Sequence, residues 1–162
     1  SKEKAQKDIN KIKDKVDLII VAMHWGEEYV TTPNNSQKQI AKELSDMGVN
    51  LVIGNHAHMI EPVEKINDTL VFYALGNFIA AQDTNDKQTG ALVTLNINKD
   101  KNGKITFSNV KANLLYTYFK GSHNFKVYPY TKLNNSLLNN YVAYYNKYKG
   151  VLTKYTNIVE VE

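Results

Sequence analysis

Three short apolar runs, each breaking off into glycine, asparagine or histidine, constrain this chain more than any other feature. Residues 18–23 run into His24-Trp25-Gly26, residues 50–53 into Gly54-Asn55-His56-Ala57-His58, and residues 70–75 into Gly76-Asn77. The first two lack polar alternation, which suits strands covered on both faces, as in a parallel sheet. Between them, residues 36–47 carry helical periodicity in Ile40, Leu44 and Met47. Ser36 is placed as the N-cap, Gln39 completes a capping box, and Gly48 terminates the helix. A helix over residues 2–15 precedes, with Ala5, Ile9, Ile12 and Val16 at helical spacing. This β-α-β rhythm predicts an α/β fold.

The second half reads differently. Residues 60–66 and 70–75 are strands around an Asn67-Asp68 turn, and residues 83–90 are a polar, mobile loop. Residues 91–97 alternate, with Ala91, Val93, Leu95 and Ile97 on one face, and residues 104–112 pair back after a turn at 99–103. The phase of that returning strand slips between Phe107 and Val110, the mark of a β-bulge. Residues 134–149 read as a final helix, with Leu138, Val142, Tyr145 and Tyr148 as a packing stripe and Gly150 as terminator. The chain divides into a motif-bearing α/β part (1–82), antiparallel hairpins (83–133) and a helix (134–150).

Composition excludes several classes of function. At 162 residues and 43% hydrophobic, the chain can bury the core of one domain. Its net charge of +4 comes from lysines, with no arginine, interleaved with acids and asparagines, a solvated surface and not a nucleic-acid stripe. Cysteine is absent, which removes disulfides, thiolate metal sites and a cysteine nucleophile. No nucleophile elbow, P-loop or dinucleotide fingerprint occurs. No secretory leader or membrane anchor is visible. Because the first residue is Ser1, the chain reads as a piece of a longer protein, and that absence carries no information about location.

Ligand sites of open α/β sheets gather beyond the carboxyl ends of the strands. Three of the four histidines, His24, His56 and His58, fall at two such ends. Residues two apart in an extended segment face one side, so His56 and His58 can converge, with His24 from a neighbouring strand as a third imidazole. Imidazole suits divalent Zn, Mn or Fe. A single strand-end histidine is ordinarily a hydrogen-bonded structural residue; two histidine-bearing tips side by side favour a metal or anion role. His123, in a loop-like stretch 121–124, is expected to be exposed. Glu27, Glu28, Glu61 and Glu64 lie near the histidine tips in sequence and are candidates for a proton shuttle or a histidine partner. No aspartate closes an apolar strand, and a two-metal hydrolase needs a bridging carboxylate to hold its cations about 3.5–4 Å apart.

The stretches His24-Trp25-Gly26-Glu27-Glu28-Tyr29, Gly54-Asn55-His56-Ala57-His58 with Glu61-Pro62-Val63-Glu64, and Tyr73-Ala74-Leu75-Gly76-Asn77-Phe78 with Gln82 resemble the CapA family of bacterial poly-γ-glutamate and capsule synthesis proteins, itself similar to calcineurin-like metallophosphoesterases. The resemblance implies half of a metallophosphoesterase-like α/β sandwich. It implies metal ligation by His24, His56 and His58, and catalytic roles for His24, Glu28 and Glu61. Trp25, Gly26, Asn55 and Asn77 would form a substrate or structural loop. Two departures stand out: Ala57 where the family usually has proline, and Glu61 where it usually has glutamine. The family's aspartate-containing first motif and its Asn-Asn-His type motif are missing. The chain is therefore expected to be the C-terminal part of a larger domain, completed by a missing N-terminal half or another chain. The divalent metal need not be retained by this part alone. By resemblance the partners are membrane-bound capsule synthesis subunits and an anionic polymer, and the location is the extracellular face of the bacterial membrane. A different class of function, a non-catalytic scaffold or polymer-binding subunit of a membrane-bound synthesis complex, is the alternative.

Overall fold

A computed structural model describes residues 1–121 and 123–162. Helix α1 (Lys2–Ile12) leads to strand β1 (Ile20–His24), helix α2 (Asn35–Asp46) and strand β2 (Leu51–Asn55). A tight hairpin follows, β3 (Val63–Ile66) and β4 (Thr69–Phe72), around Asn67, whose φ of 52° suits that short turn. These strands form one sheet in the order β1-β2-β4-β3, parallel from β1 through β4 and antiparallel at β3. A second sheet holds β5 (Thr89–Lys99), β6 (Ile105–Lys120) and β7 (His123–Pro129) as an antiparallel meander. Strand β8 (Val159–Val161) pairs in parallel with β6, and helix α3 (Tyr141–Leu152) packs nearby. The expected α/β architecture, parallel strands with helices and then antiparallel hairpins and a C-terminal helix, is present.

The first sheet separates two cores, because alternate residues of a strand face opposite sides. Val52 and Val71 face the layer of α1 and α2 with Ile9, Ala41 and Leu44. Leu51, Leu70 and Phe72 face the second sheet and α3, where Leu114, Tyr148 and Leu152 are fully buried. The bulge expected between Phe107 and Val110 is there. Thr94 pairs with Lys111 but Asn96 with Ser108, so β6 carries one extra residue, and Asn109 adopts a φ of 51°.

Several expectations are corrected. Strand β1 is not covered on both faces: it is a sheet edge, and Ile20 is 48% exposed. Val21 and Met23 pack against the helices, but Ile20, Ala22 and His24 lie on a face that the second sheet does not reach. Helix α1 stops at Ile12, leaving Ile12 and Val16 in solvent. The capping box of α2 sits two residues upstream of Ser36 and Gln39. Asn34 Oδ1 accepts from the Gln37 amide, and Gln37 Oε1 accepts from the Asn34 amide, each at 2.9 Å. Gln39 instead bonds Glu43 on the exposed face. The reason is local: an asparagine caps as well as a serine, both Asn34 and Ser36 have a Gln three residues on, and the box closes at the earlier pair.

The segment 83–90 is not a free loop but a tethered turn. Asp86 accepts from Tyr148 Oη and Lys147 Nζ of α3, both at 2.6 Å, and Thr89 is fully buried. His123 is exposed as expected, though it opens β7 and pairs with Lys120; Ser122 beside it lies outside the described residues. The last helix begins at Tyr141 and not at residue 134, because Asn134 and Asn135 spend their side chains on the backbone amides of Ser136, Leu137 and Asn140. Such local bonds compete with a helix. Val142 is 53% exposed and drops out of the expected stripe; Leu138, Tyr148 and Leu152 are buried, and Tyr145 packs half-buried beside them.

Gly150 does not end α3 but lies inside it, and a Cβ there would meet no atom within 4 Å. Gly150→Ala is therefore expected to raise stability by about 0.5–1 kcal/mol, the usual helix-interior difference. Urea unfolding measures this; an unchanged or lower midpoint would place the helix end before residue 150.

Candidate functional site

The site lies where the parallel strands end. His24 closes β1 in register with Asn55 of β2, and the chain then turns: the Trp25 amide donates to Asn55 O at 3.1 Å. Trp25 itself is buried. Its indole Nε1–H donates to Tyr73 O, beyond the end of β4, at 2.8 Å, and its ring stacks on Tyr73. This crossing passes over Gly54, where a Cβ would lie 1.9 Å from Tyr73 O and 2.3 Å from Trp25 Nε1. Only glycine fits there. Gly26, at φ 90°, is likewise pressed on the Gln37 side chain, which a Cβ would approach to 2.8 Å.

The three strand-end histidines come together. His24 and His56 have ring centroids 4.3 Å apart, and those of His56 and His58 are 6.5 Å apart. His56 and His58 both have positive φ, 106° and 55°, as does Tyr29 at 67°. Non-glycine residues in this region are uncommon, and strained backbone concentrates at functional sites. The strain is held by packing: Ala57 between the two histidines is fully buried, and its carbonyl accepts from the Tyr29 amide at 2.7 Å.

His58 has the most partners. Its Nδ1 lies 2.9 Å from Asn77 Oδ1, its Nε2 lies 3.7 Å from Glu28 Oε1, and its ring stacks on Tyr29. Lys87 Nζ sits 4.0 Å over the other ring of that stack, Tyr29, and forms an ion pair with Asp83. The Asp83 carboxylate, with Tyr29 and Glu28 in support, holds the Lys87 ammonium above its ordinary pKa.

Of the four glutamates considered, only Glu28 reaches a histidine in this way. Glu27 is exposed, and Glu64 accepts from Tyr73 Oη at 2.7 Å. Glu61 is 1% exposed; its Oε2 accepts from Gln37 Nε2 at 2.8 Å, and its Oε1 has no partner among the described residues. Burial, only partly offset by the Gln37 bond, pushes its carboxyl up to about 7. Asn55 is exposed and contributes its carbonyl to the turn after β1. Among the described residues no three His, Asp or Glu side chains gather into a cation-binding group. The three imidazoles supply nitrogen donors, as an imidazole-rich cation site requires, but they need a further ligand to close around an ion.

Gln37 and Lys87 were not singled out from the sequence, and Tyr29 and Tyr73 entered only as members of motif stretches, with no role in the site. Gln37 carried a signal, its spacing from Asn34, that a competing serine obscured. Lys87 carried none, because nothing local places a turn lysine beside a histidine far upstream.

Strand-end histidines on an open, mostly parallel sheet, tied by an indole to a neighbouring strand and flanked by a glutamate and a lysine, define an α/β protein with an imidazole-rich polar site. Residues 1–82, which contain every one of these strand tips, match the family described as bacterial capsule synthesis protein PGA_cap, and the chain belongs to that family. It is 38% identical over 96 residues to the PGA biosynthesis protein CapA of Bacillus subtilis (strain 168), covering 59% of this chain and 25% of that one. It is 36% identical over 91 residues to the capsule biosynthesis protein CapA of Bacillus anthracis, covering 54% of this chain and 22% of that one. The chain thus spans a quarter or less of the length of these relatives.

The Glu61 carboxyl gives a pH dependence with a definite sign. Its folded pKa of about 7 lies above the ordinary 4.5, so between these values the folded state binds more protons than the unfolded chain. The contribution of this one group to stability is then fully present at or below pH 4.5 and falls by about 3 kcal/mol as pH rises through 7. Glu61→Gln keeps the acceptor for Gln37 and removes the charge. Its advantage over wild type in thermal unfolding should be small at pH 5, grow to about pH 7 and level off above it; a constant difference would show that Glu61 ionises freely.

Proposed function

We propose that this chain is the histidine-bearing part of a metal-dependent, phosphoesterase-like hydrolase acting in the synthesis or export of an anionic capsule polymer, poly-γ-glutamate. The observation that carries this reading is the convergence of His24, His56 and His58 at adjoining strand ends, in a member of the capsule synthesis family. A divalent cation (Mn, Zn or Fe) held by these imidazoles would supply Lewis-acid stabilisation of a phosphoryl or carboxyl oxygen. Glu28, beside His58 Nε2, would hold or move a proton, and Lys87 would add positive charge at the mouth of the site. The buried Glu61 supports the site from below, through Gln37 and Gly26.

The fourth ligand would come from outside these residues. The bare face and free edge of β1, apolar and without the charges or proline that usually protect an edge, favour cover by further polypeptide, either the rest of a longer chain or a second subunit. Parallel sheets are ordinarily covered on both faces. A carboxylate at the tip of an added strand would stand next to His24. The work would take place on the extracellular face of the bacterial membrane, with membrane-bound synthesis subunits as partners. Among the described residues no helix is long and apolar enough to cross a membrane.

The second reading is a non-catalytic scaffold or polymer-binding subunit of that complex. It is favoured by the lack of a closed three-donor group among the described residues. Metal content and hydrolysis of a generic phosphodiester by the protein at its full length separate the two. The hydrolase reading expects bound divalent metal, lost with turnover in His56→Ala. Metal-free protein without turnover, in a strain whose polymer output still depends on it, would leave the scaffold. For the 162-residue chain alone, Zn or Mn titration should show binding that His56→Ala weakens at least tenfold; equal weak binding by both would mean that the site does not form here.

A further inference from the structure

We infer that Asn77 is a positioning residue that locks His58 into the tautomer carrying its proton on Nδ1, so that Nε2 is the nitrogen presented to the site. A neutral imidazole has one donor and one acceptor nitrogen, and the partner of one decides the role of the other. An asparagine can face a histidine with either end of its amide. Here the choice is forced by the other end. Asn77 Nδ2 lies 2.8 Å from Lys87 O and 3.4 Å from His58 O, and both are carbonyl oxygens that can only accept. The amide nitrogen must therefore face them, and Oδ1, which can only accept, must face His58 Nδ1 at 2.9 Å. His58 Nδ1 consequently donates. In the neutral ring Nε2 keeps the lone pair; Glu28 Oε1, 3.7 Å from Nε2, is beyond hydrogen-bond distance and does not compete with Asn77 for the ring proton.

The amide is held from both sides. Gly76 pairs with Gly90 beside Asn77, and a Cβ on Gly90 would lie 2.1 Å from the backbone carbonyl of Asn77, which fixes the base of that side chain. The carbonyl of Lys87 is aimed by its turn, in which the Gln88 amide donates to Thr84 O and the Thr89 amide to Asp86 O. That turn is anchored in turn by Asp86 to Tyr148 and Lys147 of α3. Residues beyond the family-matched stretch 1–82 thereby set the chemistry of a histidine within it. A histidine whose far nitrogen donates to a fixed oxygen is held in one tautomer and one orientation, the arrangement found behind metal-ligating histidines. The inference does not depend on the hydrolase reading, since the bond exists whether or not His58 Nε2 meets a cation or a proton.

The test is long-range nitrogen–proton correlation NMR on the metal-free 162-residue protein labelled with 15N-histidine, at alkaline pH where the imidazoles are neutral. The His58 signals are identified by their loss in His58→Gln. Wild type should show a protonated, pyrrole-type Nδ1 and a pyridine-type Nε2. Asn77→Leu, of similar volume without polar atoms, should lose that pattern, with Nε2–H becoming the main form. A wild-type His58 protonated on Nε2, or an Asn77→Leu protein that retains Nδ1–H, would overturn the inference. Should Asn77→Leu fail to fold, the wild-type spectrum alone still decides.

Discussion

The indole of Trp25 reaching the carbonyl of Tyr73 across Gly54 is the contact on which the site depends. Trp25 follows β1, Gly54 lies in β2 and Tyr73 follows β4, so one buried hydrogen bond and one absent side chain bring the ends of three parallel strands to a common level. Backbone pairing sets the register of the strands; the Trp25 contact sets where the chain goes after them. A buried N–H left without an acceptor costs about 1–3 kcal/mol. The alternative paths of the His24 turn are therefore excluded by energy as well as by packing. The positive φ angles of His56, His58 and Tyr29 are tolerated because the surrounding backbone has no slack.

Around this knot the molecule is unevenly finished. The first sheet is covered on its helical side and, at β2 and β4, on the side of the second sheet. At β1 the cover stops, and an isoleucine that belongs in a core lies half in water. Glu61 is the converse, a carboxyl where an apolar or amide group would be expected. Its single partner, Gln37, already spends its carbonyl on the cap of α2. One glutamine thus joins a helix start, the underside of Gly26 and a buried acid. The third connection runs from the opposite end of the chain, through Tyr148, Asp86 and Lys87 to Asn77 and His58. The site is therefore a product of both sheets, although every histidine in it comes from the first.

Much of this was legible in the residues themselves. The apolar runs that end in glycine, asparagine and histidine marked the parallel strands and their tips, and the alternation of residues 91–97 with the slip in the returning strand near Phe107 marked the hairpin and its bulge. Periodicity and turn chemistry are local, and they act the same way in any surroundings. Asn134 and Asn135 show where such reading fails: apolar spacing asked for a helix, and side-chain bonds to nearby amides, equally local but stronger at that point, delayed it to Tyr141.

By itself the sequence determined which residues could carry chemistry, because imidazoles at strand ends are a matter of composition and spacing. It also determined the α/β class, because continuous apolar runs joined by an amphipathic helix admit few other arrangements. Only the tertiary structure decided which side chains meet. It brought Glu28 and not Glu27 to His58, buried Glu61 against Gln37, left one face of β1 open, and placed Asn77 and Lys87 behind and beside the histidines. Those outcomes turn on burial and on contacts between distant segments, and neither has a period that a linear chain displays.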